Sequence, residues 1–129
     1  MTAQQVFNRA CNLLGYNDIN GEISGEDEIK KNALPKIQTI YEELYRCEGH
    51  KDENGENMPL NILGSMNDDI DLSDDTVHMI MPYGVAMLLA QSEGDADNQS
   101  IMAALYTRAM ARLTHIERNG RQNIFGGGW

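Results

Sequence analysis

The stretch Ile29-Lys30-Lys31-Asn32-Ala33-Leu34-Pro35-Lys36-Ile37-Gln38-Thr39-Ile40-Tyr41-Glu42-Glu43-Leu44-Tyr45 decides the fold class. Its apolar residues, Ile29, Ala33, Leu34, Ile37, Ile40, Tyr41, Leu44 and Tyr45, recur at three and four, the spacing that lines up one face of a helix about five turns long. Ser24 or a neighbour is placed to start this helix, and Glu26, Asp27 and Glu28 suit the positive end of its dipole. Pro35 interrupts the pattern. A proline lacks the backbone N–H and its ring clashes one turn back, so a kink or break is predicted near Ala33.

Working outward toward the N-terminus, Thr2 and Gln5 form a capping-box pattern ahead of a stripe of Val6, Phe7, Ala10, Cys11, Leu13 and Leu14, which Gly15 ends. Tyr16 to Gly25 contains Asn20-Gly21 and reads as a turn-rich loop. Toward the C-terminus, residues 48 to 75 turn polar, broken by Gly49, Asn54-Gly55, Pro59 and Gly64, with room for a short hairpin. Ser73, Asp74 and Asp75 then cap a third helix through Val77, Ile80, Met81, Val85, Leu88 and Leu89. Pro82 lies inside it, and Gly84 and Ala86 leave space for close packing. After a tight Gly94-Asp95 corner, a fourth helix runs through Ile101, Ala104, Leu105, Ala111 and Leu113 to about Glu117, completing an αα-hairpin. The expected fold is all-α: a small bundle of about four helices with a long loop between helices 2 and 3. Residues 1–118 form the helical domain and 119–129 an extended C-terminal arm.

Composition agrees. The chain has 129 residues, enough for one domain with its own core. It is 41 % hydrophobic but only 6 % aromatic, so Met, Leu, Ile and Ala fill the interior, which favours helices over a β-sandwich. No run approaches the ~20 apolar residues of a membrane span. Arg9 falls where a signal peptide needs its apolar stretch, so synthesis in the cytoplasm is expected. Cys11 and Cys47 sit inside apolar helical patterns and read as buried small hydrophobes.

Net charge is −10, unevenly spread: residues 1–100 sum to −13 and residues 101–129 to +3. An acidic body repels a phosphate backbone, which argues against sequence-specific DNA binding, while the basic end suits an acidic partner.

Templates for chemistry fail one after another. A calcium loop centred on Gly55 has Asp52 and Asn54 in place but starts at His50 and ends at Asn61. One centred on Gly21 starts at Tyr16 and ends at Asp27. His50, His78 and His115 lie in separate segments without zinc spacing, and no hydrolase nucleophile signature occurs. The run Asp68-Asp69-Ile70-Asp71-Leu72-Ser73-Asp74-Asp75 concentrates carboxylates, but it reads first as a solvated loop feeding a helix N-terminus. Gly126-Gly127-Gly128 follows no strand and precedes no helix, so it is no phosphate loop. No catalytic residue, metal or cofactor is expected.

Two segments remain as candidates for contact with other molecules. Arg118, Arg121, Ile124, Phe125 and Trp129 place apolar anchors in a mildly basic strand, the composition of a segment that orders on a partner. In the long loop, Met58, Leu60, Ile62, Leu63 and Ile70 are scattered apolar anchors. Loops of that length usually act or become ordered against a neighbour.

Three stretches resemble the head–tail adaptor, or head-completion, proteins of tailed bacteriophages. They are Val6-Phe7-Asn8-Arg9-Ala10-Cys11-Asn12-Leu13-Leu14-Gly15-Tyr16; Ala33-Leu34-Pro35 to Leu44-Tyr45; and Tyr83-Gly84-Val85-Ala86-Met87-Leu88-Leu89-Ala90 through Glu93-Gly94-Asp95 to Leu105-Tyr106-Thr107-Arg108. The resemblance implies a homo-oligomeric ring, usually of twelve subunits, coaxial with the portal protein and joined to tail or tail-completion proteins. Genomic DNA would pass through its channel during packaging and ejection without sequence-specific binding. It also implies that the C-terminal arm docks on the portal and that the protein resides at the head–tail interface of the virion, with no membrane contact. The loop 48–75 and the Gly-Gly-Gly-Trp end depart from the family's pattern. An alternative from the residues alone is a small acidic regulator, or DNA mimic, that occupies a basic site on a host protein.

Overall fold

In a computed structural model the backbone is described for residues 1–124 and the side chains for residues 1–113. Among the described residues six helices follow one another: α1 (Ala3–Leu14), α2 (Glu26–Lys31), α3 (Ala33–Glu48), α4 (Asp74–Met79), α5 (Met81–Ser92) and α6 (Ala96–Ile124). Among the described residues there are no strands, only isolated antiparallel bridges. The fold is the expected all-α bundle, with two of the anticipated helices each divided in two.

Proline explains both divisions. Between α2 and α3 the backbone leaves helical geometry at Asn32 (φ −110°, ψ 8°), and Pro35 occupies the first turn of α3, where its missing N–H would have had no intrahelical partner. The same device separates α4 from α5. Ile80 (φ −118°, ψ −54°) is the joint, and Pro82 lies in the first turn of α5, so the third helix is not continuous through Pro82. At the start of α2 the cap is Gly25, the neighbour of Ser24, in a left-handed conformation (φ 68°). Thr2 and Gln5 do form the capping box of α1.

α5 is the centre of the bundle, packing against α1, α3, α4 and α6. It is apolar nearly all round, with Met81, Pro82, Gly84, Val85, Ala86, Leu89 and Ala90 buried, as a helix enclosed on every side must be. Val6, Phe7, Ala10 and Cys11 of α1 and Ile37, Ile40, Tyr41 and Leu44 of α3 complete the core. Met102, Tyr106 and Ala109 of α6 close it. The fourth helix is longer than the sequence suggests: its backbone stays helical to Ile124, so residues 119–124 of the expected extended arm are helical. Residues 125–129 lie outside the described residues.

The long connection between α3 and α4 is irregular but fastened to its own chain. Leu63 and Ile70 are buried in the core. Leu63 N–H donates to Gln38 Oε1 (2.9 Å), and the backbone of Ala3 and Gln4 donates to Asp68 and Met66 carbonyls (3.0 and 2.7 Å). The fully buried Tyr41 anchors it twice, donating its hydroxyl to Asn61 Oδ1 and accepting from Asp71 N–H (3.0 Å).

Candidate functional site

Helix ends build the polar structure of this protein. At one end of the bundle, Asp95 caps α6: Asn98 Nδ2 donates to its carboxylate (2.7 Å), as does the Tyr16 hydroxyl that follows α1 (3.0 Å). The amide of Asn98 also reaches the Leu14 carbonyl (3.3 Å), tying the end of α1 to the start of α6. The Asn98 contact, against desolvation and with help from Tyr16, holds the Asp95 carboxyl below its ordinary range. Burial, then the bond to Asp95, pushes the Tyr16 phenol up to about 12.

At the opposite end, Glu48 closes α3 onto α4. Its carboxylate accepts from Ser73 N–H (3.0 Å) and Ser73 Oγ (2.7 Å) and lies 2.9 Å from His50 Nε2. Burial opposes its charge, yet the hydrogen bonds from Thr76, Ser73 and His50 outweigh it and lower the carboxyl pKa. His50 stacks flat on Tyr45, with ring centroids 3.9 Å apart.

Within the acidic run the Asp68 carboxylate has structural partners. Asp68 accepts from the N–H groups of Gly64 (2.6 Å) and Ser65 (3.1 Å), which lowers its pKa, and Ser73 caps α4. Among the described residues no three His, Cys, Asp or Glu side chains gather into a metal-binding group. The Cys11 thiol is buried within α1, and desolvation, then the charge of Glu26, pushes it up to about 11.

The two windows tested as calcium loops are copies of one turn. Asp18-Ile19-Asn20-Gly21-Glu22 and Asp52-Glu53-Asn54-Gly55-Glu56 stand 34 positions apart, each behind a helix ended by a left-handed glycine, Gly15 or Gly49. In each, the aspartate Oδ1 accepts two backbone N–H groups at 2.8–2.9 Å, from the asparagine and the glutamate. The backbone pairs as a short antiparallel bridge, Asn17 with Ile23 and Lys51 with Asn57. The second is the short hairpin expected in the 48–75 loop. The signal for this pair is the repeated Asp-x-Asn-Gly-Glu itself, present in the sequence at 18–22 and 52–56. The copies differ at the second position: Ile19 is 99 % exposed, whereas its counterpart is Glu53.

A groove of about 600 Å³ lies where α4 and the start of α5 meet α6. Met79, Ile80, Tyr83 and Leu105 give it apolar walls, Arg108 and Arg112 stand on its α6 side, and Ser73, Asp75 and Thr76 line it from the α4 side. Met79 is 58 % exposed. The one ion pair among the described side chains is His50 with Glu48, so neither arginine forms an ion pair with a described carboxylate.

The residues singled out in the sequence are therefore distributed as follows. Leu63 and Ile70 belong to the core, so they are not open to a partner; Leu60 is half-buried against it, and Met58 and Ile62 are exposed. Arg118, Arg121 and Ile124 lie on the helical backbone of α6, and their side chains are outside the described residues, as are Phe125 and Trp129 entirely. No helix among the described residues is long and apolar enough to cross a membrane. Compared with known proteins, the chain matches no family model, no curated protein and no solved structure.

Proposed function

We propose that the chain is a structural virion protein of a tailed bacteriophage, a head–tail adaptor that forms a ring beneath the portal and links capsid to tail around a channel for DNA. One observation carries the reading. The three stretches that resemble the adaptor family coincide with α1, α3 and the α5–α6 hairpin, the elements that pack together around α5. The likeness thus lies in the residues that build the bundle and its order of helices.

Charge supports the same role. The chain carries 20 acidic against 10 basic residues, and among the described residues no lysine or arginine pairs with a carboxylate. A channel lined by such a surface repels phosphates, so DNA slides past without adhering. The partners are further copies in a ring, the portal protein, and tail or tail-completion proteins. The site of action is the head–tail interface of the virion. Arg118, Arg121, Ile124, Phe125 and Trp129 form the segment that docks on the portal, and Met58 and Ile62 are the loop residues open to an adjacent subunit or the tail.

Particles made with the chain truncated after Arg118 test this role. The protein is expected to disappear from the purified particles, with heads that fail to join tails. Normal retention of the truncated protein at the portal would overturn the docking role. A chain absent from particles, monomeric, and bound to a basic host protein in a strongly salt-dependent way would instead be the acidic regulator.

A further inference from the structure

Ile19 is out of place in a turn that has no use for it. The sister turn around Asp52 makes the same hydrogen bonds with Glu53 in that position, so the fold itself does not require an isoleucine there. At 99 % exposure Ile19 is the most exposed large apolar side chain among the described residues. It is flanked by the carboxylates of Asp18 and Glu22, and three further acids, Glu26, Asp27 and Glu28, follow within the first turn of α2. An apolar tip on an acidic base is thereby presented at one end of the bundle.

The groove between α4–α5 and α6 has the complementary character. Its walls are largely apolar, and its two cations, Arg108 and Arg112, outnumber the one carboxylate that lines it, Asp75, with which neither forms an ion pair. It cannot receive the Ile19 turn of its own chain. That turn follows α1 at the end where Tyr16 meets Asp95, and a helical rise of 1.5 Å per residue puts Arg108 and Arg112 about 20–25 Å farther along α6.

The geometry points to a head-to-tail contact between copies of this chain, in which Ile19 of one copy enters the α4–α5/α6 groove of the next while Asp18 and Glu22 face Arg108 and Arg112. This inference rests on the assembly reading above and names its contact. Because the two surfaces differ, the contact is heterologous: each copy offers one tip and one groove, and repetition closes a ring or continues as a filament. A single tip buries little area, so isolated pairs dissociate readily, and closure, in which every copy makes two contacts, supplies the stability.

The full-length chain carrying both Ile19→Cys and Met79→Cys tests it under mild oxidation at rising protein concentration, with wild type setting the background from Cys11 and Cys47. The double variant is expected to give a ladder of cross-linked multimers, and each single variant no species beyond a dimer. In parallel, Ile19→Glu should raise the concentration needed for half-assembly at least about tenfold, the loss expected for one buried isoleucine. If the wild-type chain forms rings, yet the double variant gives no ladder and Ile19→Glu assembles as well as wild type, this contact is wrong while the assembly reading stands. A chain that remains monomeric at every concentration, alone and with portal, and gives no ladder overturns both.

Discussion

The ring of Tyr106 occupies the space that a side chain at position 84 would need. A Cβ on Gly84 would lie 2.8 Å from Tyr106 Cε1 and 3.0 Å from Ile40 Cγ2, so α3, α5 and α6 converge on the bare backbone of this glycine. The ring has little freedom to yield, because the Tyr106 hydroxyl donates to the Glu43 carboxylate and its body is buried. In a helix interior, Gly→Ala would ordinarily gain up to about 1 kcal/mol. Here overpacking outweighs that gain, and Gly84→Ala should destabilise the bundle by about 1–2 kcal/mol net. A lower midpoint in urea unfolding with an unchanged slope checks this; a raised midpoint would mean that the three helices are not so closely seated.

Tyr41 is the second keystone, since its hydroxyl joins α3 to both Asn61 and Asp71 of the long connection. Tyr41→Phe preserves the apolar ring but leaves those two groups without their partner. A loss of about 1–3 kcal/mol is expected. Hydrogen exchange at the Asp71 amide should accelerate more than exchange within α5, because the connection loosens before the core opens. Equal acceleration everywhere would place the effect on global stability alone.

Acid should weaken the fold through carboxylates that are hydrogen-bonded when ionised. Glu48, Asp68 and Asp95 all have folded pKa values below their ordinary 4.5, 3.8 and 3.8. A depressed carboxyl pKa contributes stability that is present above the unfolded value and is lost as pH falls through the folded one. Stability should therefore hold down to about pH 5 and decline below it. Glu48→Gln should lower stability at neutral pH and flatten the decline; an unchanged acid limb would remove Glu48 from the explanation.

Base acts on different groups. The Cys11 thiol and Tyr16 phenol are held neutral by burial up to about 11 and about 12, against ordinary values of 9.0 and 10.0. Their neutral forms are favoured in the folded state, so stability is complete below the ordinary values and is lost as pH rises through the shifted ones. At neutral pH an alkylating thiol reagent should leave Cys11 unmodified until the chain unfolds, with mass spectrometry of digests as the readout. Rapid labelling of Cys11 in the native state would contradict its burial in α1.

Much of the fold was legible because its signals are local. The three-and-four spacing of α1 and α3, the Thr2 capping box and the Gly94-Asp95 corner each act within a turn or two, and each is found where the sequence placed it. Pro35 and Pro82 announced interruptions. That Pro82 ends one helix and starts another, instead of bending a single one, depends on the tertiary environment of Ile80, which spacing does not encode. The long connection was harder to read. Whether Leu63 and Ile70 face a neighbour or their own core depends on hydrogen bonds to Gln38, Tyr41 and the start of α1, all remote in sequence. The groove beside Arg108 and Arg112 arises only when α4 and α6 are brought together, so no single segment predicts it. The isolated exposure of Ile19 becomes meaningful only beside its twin, Glu53.

The bundle is proposed to work by assembling around a DNA channel on a portal. Mixing the full chain with isolated phage portal rings and imaging the complexes by electron microscopy checks that proposal. A second ring of this protein, coaxial with the portal and open at its centre, is the predicted result. Portal rings that stay bare, with the chain monomeric in the same mixture, would contradict it.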